Sequence, residues 1–390
     1  MFYPDTTSTS QLFQTLLKEL ARSGWTIDVY CGYPTDNQPR PLPRTDHWNG
    51  ISIYRCGSRL PLKSNFLFRA ICYVTFLIAV FFRLLFVDSR ATWLGVTNPP
   101  FNVQVLAICS WLRKHSFSYF LLDLHPEGLL ATNSLNEHNP LVKFWIFLNG
   151  LSYRRAKSLF ILGRDMRALL NQNYKTSNNI VHYIPHWSPI EPSLVKRFDE
   201  SRLTQEWDIS KKFVVQYSGN MGLWHDMNSF VRLAGSFRED SSTRFIFIGD
   251  GVRKRDAEAL ATSLQLDNIN WKPFVPLEDL EESLAACHVA LISLRNNLSG
   301  IAVPCKLYGI LASGRPVIAQ VPYDSEIAIT VTEFECGFVV PPGDDHQLVR
   351  SLNQLKTDFR LREEMGRNSH AAYVNYFTCK SVTEKLERLL

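Results

Sequence analysis

Short apolar runs alternate with amphipathic stretches along the first half of the chain. The runs are rich in β-branched and aromatic residues, which predicts buried strands. The stretches between them carry apolar residues at helical spacing, which predicts helices that cover a sheet. The predicted strands are Thr26–Cys31, Ile51–Cys56, Ala91–Val96, Ser118–Leu124, Ser158–Leu162 and Ile180–Ile184. The predicted helices are Gln11–Arg22, Phe101–Leu112, Val142–Ala156 and Arg164–Asn173. This alternation is typical of a parallel sheet with helices on both faces.

The same pattern begins again after a stretch in which proline and charged residues dominate. Its predicted strands are Phe213–Tyr217, Arg244–Ile248, Ile269–Pro273, Val289–Ser293, Pro316–Ala319 and Gly337–Val340. Its predicted helices include Arg253–Leu264, Leu277–Ala286, Cys305–Ala312 and His346–Leu355, and a long amphipathic tail, Leu361–Leu390, follows.

The change of composition divides the chain into two α/β domains of similar size. We expect residues 1–188 to form the first domain, 189–211 a linker and 212–375 the second domain. Residues 376–390 are expected to form a helix that packs back on the first domain. Ligands of open parallel sheets bind at the carboxyl ends of the strands, so a cleft between the two domains is the expected active site.

One segment, residues 66–87, is almost wholly apolar apart from Arg69 and Arg83. A spanning helix needs about 20 consecutive apolar residues, and the uncharged part, Ala70–Phe82, is shorter than that. A helix buried against a sheet is one interpretation. The other, which we favour, is a helix lying in the headgroup layer of a membrane, because bulky side chains cover every face and the two arginines can reach the surface. Basic residues recur nearby in sequence, at positions 63, 90, 113, 114, 154, 155 and 157.

Composition narrows the class of protein further. The 390 residues are 45% hydrophobic and carry a net charge of +5, which is too weak to indicate a nucleic-acid partner but suits anionic substrates or an anionic membrane surface. The eight cysteines are scattered without a C-x-x-C pair, which predicts free or buried thiols in a reducing compartment and no structural zinc. The opening, MFYPDTTSTS, lacks a signal-peptide pattern and resembles a loop after a strand. Either a strand precedes it in a longer product or this domain lacks its first strand.

The stretch from Phe213 to Asp226 combines a strand, a glycine turn and a helical pattern. Gly219 and Gly222 allow the backbone to approach a ligand closely, and either can take a positive φ. We expect a helix N-terminus at Gly222 whose free N–H groups bind a phosphate. Glycines at strand ends are common in α/β proteins, so a turn without a ligand is the alternative. The spacing differs from G-x-G-x-x-G, which weighs against a dinucleotide site.

Several stretches in combination resemble the retaining nucleotide-sugar glycosyltransferases of family 4. They are YSGNMG, FIGDG, FVPLEDLEESLAACHVALISL, VPCKLYGILASGRPVIA, SEIA and CGFVVPPGD, with FYPDTTSTSQL and LDLHPE in the first half resembling a bacterial subgroup that builds cell-surface polysaccharides. The resemblance implies the GT-B fold, α/β with two Rossmann-like domains facing across a cleft. It also implies metal-independent, retaining transfer of a hexosyl group without a cofactor. The expected partners are a nucleotide-diphosphate sugar donor, a lipid-linked or glycan acceptor and the cytoplasmic face of the inner membrane.

The donor site departs from the family pattern. The two glutamates of its Glu-x7-Glu motif fall at Ile301 and Gly309, and the arginine and lysine after the glycine turn are replaced by Leu223 and His225. Lys306, early in a helix after Pro304, is expected to meet an anion, although a solvated surface lysine is the alternative. Taken with the resemblance, the expected donor-binding residues are Gly219, Asn220, Gly222, His225, Arg253, Phe274, Val275, Lys306, Leu307 and Glu326.

The candidate catalytic residues follow a strand in the first domain. His125 matches a histidine that contacts the transferred sugar in the family, and Asp123 and Glu127 flank it. Asp123 and Glu127 are candidates to orient His125 or to contact the acceptor. A loop histidine bonded to its own turn, and a first-turn helix charge at Glu127, are the alternatives. Glu326 either holds a sugar hydroxyl or caps its helix.

Two other functions use the same fold. A nucleotide-sugar 2-epimerase would convert the free donor without an acceptor. Loss of both family glutamates would also suit a catalytically impaired, nucleotide-binding scaffold protein of a polysaccharide assembly complex.

Overall fold

The computed structural model describes residues 2–5, 7–34, 42–59, 66–190 and 195–390. The chain forms two compact units, Met1–Pro185 together with Cys379–Leu390, and His186–Thr378. Each unit contains a parallel sheet with helices between its strands. The α/β class expected from the alternation of apolar runs and amphipathic stretches is therefore confirmed.

The first unit contains two sheets. Four strands form a wholly parallel sheet in the order β4-β5-β6-β7, and three form a mixed sheet in the order β1-β3-β2. The strands are β1 (Ile27–Cys31), β2 (Thr45–Trp48), β3 (Ile51–Arg55), β4 (Trp93–Val96), β5 (Phe117–Leu121), β6 (Ser158–Ile161) and β7 (Val181–Tyr183). The helices are α1 (Ser8–Arg22), α2 (Phe66–Leu84), α3 (Asn102–Arg113), α4 (Glu127–Ala131), α5 (Pro140–Arg155) and α6 (Met166–Tyr174), with a 3-10 turn at Asn178–Ile180.

Strand β2 was not expected from the sequence. It pairs antiparallel with β3, and its four residues alternate between exposed and half-buried positions. An edge strand of this kind buries little apolar surface, so the hydrophobic pattern that reveals the other strands is missing from it.

Six parallel strands form the sheet of the second unit, in the order β10-β9-β8-β11-β12-β13. They are β8 (Phe213–Ser218), β9 (Thr243–Ile248), β10 (Ile269–Lys272), β11 (Val289–Ser293), β12 (Val317–Gln320) and β13 (Gly337–Val340). The helices are α7 (Arg202–Glu206), α8 (Met227–Gly235), α9 (Lys254–Ser263), α10 (Leu280–Ala285), α11 (Lys306–Ala312), α12 (Glu326–Glu333), α13 (Asp345–Thr357) and α14 (Phe359–Ala372), with short helices at Phe198–Glu200, Leu277–Asp279 and Tyr373–Phe377. Side chains of β8, β9 and β11 form the centre of its core, with Phe230, Leu348 and Leu352 from the covering helices.

The expected linker, residues 189–211, is part of the second unit where the structure describes it. Ser201 caps α7 and donates a hydrogen bond to the carbonyl oxygen of Glu282, while Leu203 and Ile209 are buried. Two buried apolar residues and one capping serine anchor this polar segment.

The long tail expected at Leu361–Leu390 is divided. Helix α14 ends in one turn of π-helix at Tyr373–Phe377, and α15 (Cys379–Glu387) packs against α1 of the first unit. Trp25 after α1 donates a hydrogen bond to Glu387 over 3.1 Å. The eight cysteines, all within the described residues, form no disulfide bond with one another.

Candidate functional site

Two loops meet backbone to backbone at the carboxyl edge of the second unit's sheet. Gly219 follows β8 with φ +132°, and Gly249 follows β9 with φ +126°. A Cβ atom on Gly249 would lie 2.2 Å from the carbonyl oxygen of Gly219, and one on Gly251 would lie 2.5 Å from that of Met221. These positions therefore require glycine, both for the φ angle and for the space.

The expected helix N-terminus at Gly222 was wrong. Helix α8 begins five residues later at Met227, and its N-cap, Asp226, accepts a hydrogen bond from the N–H of Ser229. Because its own carboxylate occupies this helix end, α8 does not present a free N-terminus to a phosphate. Gly222 has no positive φ and lies in the connecting loop. Within the part of the chain that the structure describes, the N–H groups of Gly222 and Leu223 donate no hydrogen bond.

Lys306 brings a positive charge to this loop. It is the first residue of α11, and its Nζ atom donates a hydrogen bond to the Tyr217 hydroxyl over 2.6 Å and lies 3.9 Å from the centre of the Tyr217 ring. A Cβ atom on Gly219 would lie 3.1 Å from the same Nζ. Burial lowers the pKa of the Lys306 ammonium to about 7. The surface-lysine alternative is therefore wrong, and the loop faces a poorly solvated cation.

His225 is not a second cation. Its ring is largely enclosed, and its Nδ1 lies 2.6 Å from the carbonyl oxygen of Ser293. Burial first, and then the nearby charge of Lys306, lower the pKa of His225 to about 3. The imidazole is thus neutral at physiological pH and adds no positive charge in place of the arginine or lysine of the family pattern.

A cavity of about 120 Å³ lies beside the loop, lined by His225, Asp226, Met227, Asn228, Arg253 and Arg295. Arg253 precedes α9 and lies 3.5 Å from Asp256. Arg295 follows β11, and its side chain donates to the carbonyl oxygen of Leu223 over 3.3 Å. Two guanidinium groups thus border the loop, an arrangement suited to an anion. Sequence reasoning missed Arg295 and Tyr217, although each stands at or just after the carboxyl end of a predicted strand.

The remaining expected donor residues differ in their availability. Phe274 is exposed, and a Cβ atom on Gly249 would lie 3.2 Å from its ring, so Phe274 lies beside the glycine loops and Val275 follows it in sequence. Leu307 is fully buried in the core, which leaves its side chain no ligand to contact. Glu326 is buried in the first turn of α12 and accepts a hydrogen bond from Thr330, while Ser325 is the N-cap.

In the first unit, Asp123, His125 and Glu127 lie together after β5. Burial raises the pKa of Asp123 to about 6 and lowers that of His125. Both groups therefore favour their neutral forms more than they do in water. The carbonyl oxygen of His125 accepts a hydrogen bond from Asn149 of α5 over 2.6 Å, so α5 holds this loop in place.

Glu127 is the first residue of α4 and so lies in the first turn of a helix, as one alternative expected, and its side chain is buried. Its carboxylate accepts a hydrogen bond from the Tyr174 hydroxyl, and burial raises its pKa. Asn149 also contacts Tyr174, at 3.5 Å, which joins the two supports into one network. The side chain of Glu127 is thus placed to hold α4 and the histidine loop in position.

The sequence of the second unit is similar to that of a known protein family. Residues 199–371 match the family of glycosyl transferases group 1. The match covers less than half of the chain and includes both glycine loops, Arg253, Arg295 and Lys306. The second unit is therefore similar to group 1 glycosyltransferases.

Individual relatives extend the likeness to the whole chain. The probable glycosyltransferase WbjE of Pseudomonas aeruginosa is 26% identical over 264 residues, which cover 67% of this chain and 65% of the relative, so the chain spans slightly less than two thirds of that protein. WaaG, described as a glycosyltransferase involved in lipopolysaccharide biosynthesis, is 17% identical, with a TM-score of 0.71 over 99% of this chain and 96% of its own. HepE from Anabaena, solved with UDP-glucose, is 17% identical, with a TM-score of 0.67 over 87% of this chain and 86% of its own. At this identity the structures show the fold, which is the expected GT-B type with two Rossmann-like domains.

Proposed function

We propose that this protein is a glycosyltransferase that moves a sugar from a nucleoside-diphosphate donor to a lipid-linked or glycan acceptor in cell-surface polysaccharide biosynthesis. One observation carries the proposal. Inside the stretch that matches group 1 glycosyl transferases, the ammonium of Lys306 lies against a glycine loop whose N–H groups at Gly222 and Leu223 are unpaired within the described residues.

The donor's diphosphate would occupy this loop. Lys306 supplies a charge that is poorly solvated and therefore strongly attracted to an anion, and Arg253 and Arg295 add guanidinium groups beside it. As the sugar leaves, negative charge grows on the departing phosphate, and fixed donors that meet this charge lower the barrier without a metal ion.

The nucleotide base would rest against Phe274 and Val275. An exposed aromatic ring next to Gly249 offers a flat apolar surface of the kind on which bases stack. The structures of HepE with UDP-glucose support UDP as the first nucleotide to test. The two positions of the family glutamates are filled by Ile301, which is buried, and by Gly309, so the ribose would be held by other groups.

The acceptor side would be formed by the loop after β5. A neutral His125 is suited to hydrogen bonding with a sugar hydroxyl or with the nucleophilic hydroxyl, and Asp123 with a pKa of about 6 is suited to proton exchange near neutrality. Retention of the anomeric configuration is proposed from the resemblance to family 4. We also propose that the protein works at the cytoplasmic face of the inner membrane, with residues 66–87 in the headgroup layer.

Calorimetry with UDP, GDP and dTDP, followed by a radiolabelled-donor transfer assay with membrane extract, tests the proposal. We expect one nucleotide to bind and its sugar to be transferred to extracted lipid. Absence of both transfer and donor hydrolysis across the common UDP-, GDP- and dTDP-sugars would contradict it. Conversion of the free donor sugar without any acceptor would favour an epimerase, and tight nucleotide binding without turnover would favour a scaffold protein.

A further inference from the structure

Three helices of the first unit form one continuous layer. Helix α3 lies between α2 and α5, since Cys109 contacts the carbonyl oxygen of Phe81 at 3.6 Å and Gln104 donates to Asn149 over 2.7 Å. Arg113 donates to the carbonyl oxygen of Val87 over 2.9 Å and Arg155 to that of Ser110 over 3.2 Å. These last two bonds bring the carboxyl ends of all three helices to the same end of the layer.

The inner side of this layer packs on the protein. In α2 a stripe of four residues at four-residue spacing, Cys72, Phe76, Val80 and Leu84, is buried. Among the described residues, α2 is the one helix long and apolar enough to cross a membrane, with a mean hydropathy of 2.0 over Leu67–Leu84. Because this stripe is buried in the unit's own packing, α2 cannot turn all of its faces to lipid.

The outer side of the layer is apolar on all three helices. In α2 the exposed residues continue at helical spacing, and α3 and α5 each add a parallel row. Every side chain of this set, which we call the outer apolar face, is at least 37% exposed: Leu67, Phe68, Ile71, Val74, Ile78, Phe82, Ile108, Trp111, Leu112, Leu141, Phe144, Phe147 and Leu151. The exposed apolar area is on the order of 1,000 Å², compared with roughly 300–600 Å² for the largest patch on a typical monomer.

The charges on and beside these three helices indicate what kind of partner the outer apolar face binds. The sequences of α2, α3 and α5 contain no aspartate or glutamate. The end of the layer at which the three helices finish carries a group of cations, which we call the basic end: Arg83, Arg113, Lys114, Arg154, Arg155 and Lys157. A protein partner would need an apolar surface with carboxylates placed opposite each of these cations. A bilayer with anionic headgroups offers an apolar layer and negative charge along its whole surface, so it complements both the outer apolar face and the basic end.

We propose that the outer apolar face and the basic end together dock this protein on a bilayer that contains anionic phospholipid. The helices lie in the plane of the interface with Trp111, Phe144 and the outer residues of α2 inserted to the depth of the acyl boundary. The cations of the basic end contact lipid phosphates. This extends the membrane attachment proposed above from one helix to three, and it makes attachment selective for anionic lipid. It does not depend on the transferase reaction.

Vesicle flotation tests the proposal with the full-length protein and two variants. Vesicles of phosphatidylcholine alone are compared with vesicles that also contain phosphatidylglycerol. The first variant, Trp111→Gln with Phe144→Gln, removes apolar surface from α3 and α5. The second, Lys114→Gln with Lys157→Gln, removes two cations from the basic end. A control variant, Phe359→Gln with Arg360→Gln, makes equivalent changes on the second unit, where Phe359 is 62% exposed and Trp111 is 67% exposed.

We expect the unaltered protein to float with anionic vesicles and not with neutral ones. The apolar variant should lose at least about tenfold in vesicle affinity, and the cation variant about fivefold for each charge removed. The control should bind as the unaltered protein does, and raising the ionic strength should weaken binding of the cation variant less than that of the unaltered protein.

Three results would overturn the proposal. They are equal flotation with neutral and anionic vesicles, unchanged flotation of the apolar variant, and a soluble dimer that the apolar substitutions disperse, which would make a second copy the occupant. Calorimetry with UDP on the same samples separates this proposal from the function above. Loss of nucleotide binding with intact flotation contradicts the transferase, and intact nucleotide binding without flotation contradicts the docking surface.

Discussion

Replacement of Lys306 by methionine separates binding from stability in the second unit. Methionine keeps the length of the side chain and removes the ammonium. The structure predicts that the variant folds more stably than the original protein and no longer binds a nucleoside diphosphate. A buried ammonium that costs stability next to the glycine loop is what we expect of a residue that binds an anionic ligand.

The magnitude follows from the pKa of Lys306. Burial lowers it from 10.5 to about 7, and each unit corresponds to about 1.4 kcal/mol, so at pH 7 the buried ammonium costs up to about 4 kcal/mol. Its hydrogen bond and cation–π contact with Tyr217 return about 1–2 kcal/mol, and methionine loses both. We therefore expect Lys306→Met to raise the free energy of unfolding by about 2 kcal/mol at pH 7.

The sign of the pH dependence is fixed by the same shift. Between pH 7 and 10.5 the unfolded chain holds a proton at Lys306 that the folded chain has released, so the stability of the original protein rises with pH in this window. The advantage of the methionine variant is therefore largest below pH 7 and shrinks toward pH 10.

Urea denaturation of both proteins at about pH 6, 7.5 and 9, together with UDP calorimetry, measures the two effects. Lys211→Met, an exposed lysine of the same unit, is the matched control and should change stability by less than about 0.5 kcal/mol. Three results would contradict this prediction: a Lys306→Met variant less stable than the original protein at pH 7, a stability difference that does not vary with pH, or an unchanged affinity for UDP.

Four further substitutions, one of them a control, test other parts of the sites. Gly249→Ala should lower the free energy of unfolding, measured by urea denaturation, by more than about 2 kcal/mol, because φ is +126° and the new Cβ would lie 2.2 Å from a backbone oxygen. The control Gly222→Ala, at a position without a positive φ, should cost less than about 1 kcal/mol. Asp123→Asn should raise the free energy of unfolding by about 2–3 kcal/mol at pH 7. Because burial raises the pKa of Asp123 from 3.8 to about 6, the original protein loses stability as pH rises through that interval, so the gain should vanish below pH 4. Equal gains at pH 3.5 and pH 7 would contradict this prediction. Tyr174→Phe should cost about 1–3 kcal/mol by leaving the buried carboxylate of Glu127 without its hydroxyl donor, and an unchanged urea midpoint would show that the pair is dispensable.

The order of strands and helices could be predicted because burial on both faces of a parallel sheet leaves long apolar runs. Strands such as Val289–Ser293 and Gly337–Val340 were predicted with their observed bounds. Strand β2 was missed because an edge strand with one half-buried face carries no such run. A helix after the glycine turn was predicted, but the start of α8 was misplaced. The capping contact of Asp226 that fixes it depends on a loop whose path the sequence does not reveal.

At the candidate site, the sequence predicted where residues lie better than it predicted their charge or their burial. Gly219, Arg253 and Lys306 were expected near the end of the sheet. Gly219 directly follows β8, Arg253 directly precedes α9 and Lys306 is the first residue of α11, where its Nζ atom lies close to Gly219. The neutrality of His225 could not be predicted from the sequence, since it follows from enclosure and from Lys306, which is distant in sequence. Leu307 shows the same limit, because its neighbour Lys306 faces the loop while Leu307 itself faces the core.

The return of α15 to the first unit affects how this chain can be synthesised and divided. Residues Cys379–Leu390 belong to the first unit although the whole of the second unit separates them from its other residues. During translation, the second unit can therefore close on itself while the first still exposes the side of α1 that α15 will cover. A stop codon after Thr378 would remove α15 and so destabilise the first unit, while the second unit would keep all of its residues. A product of residues 1–185 would likewise lack α15, which packs against α1.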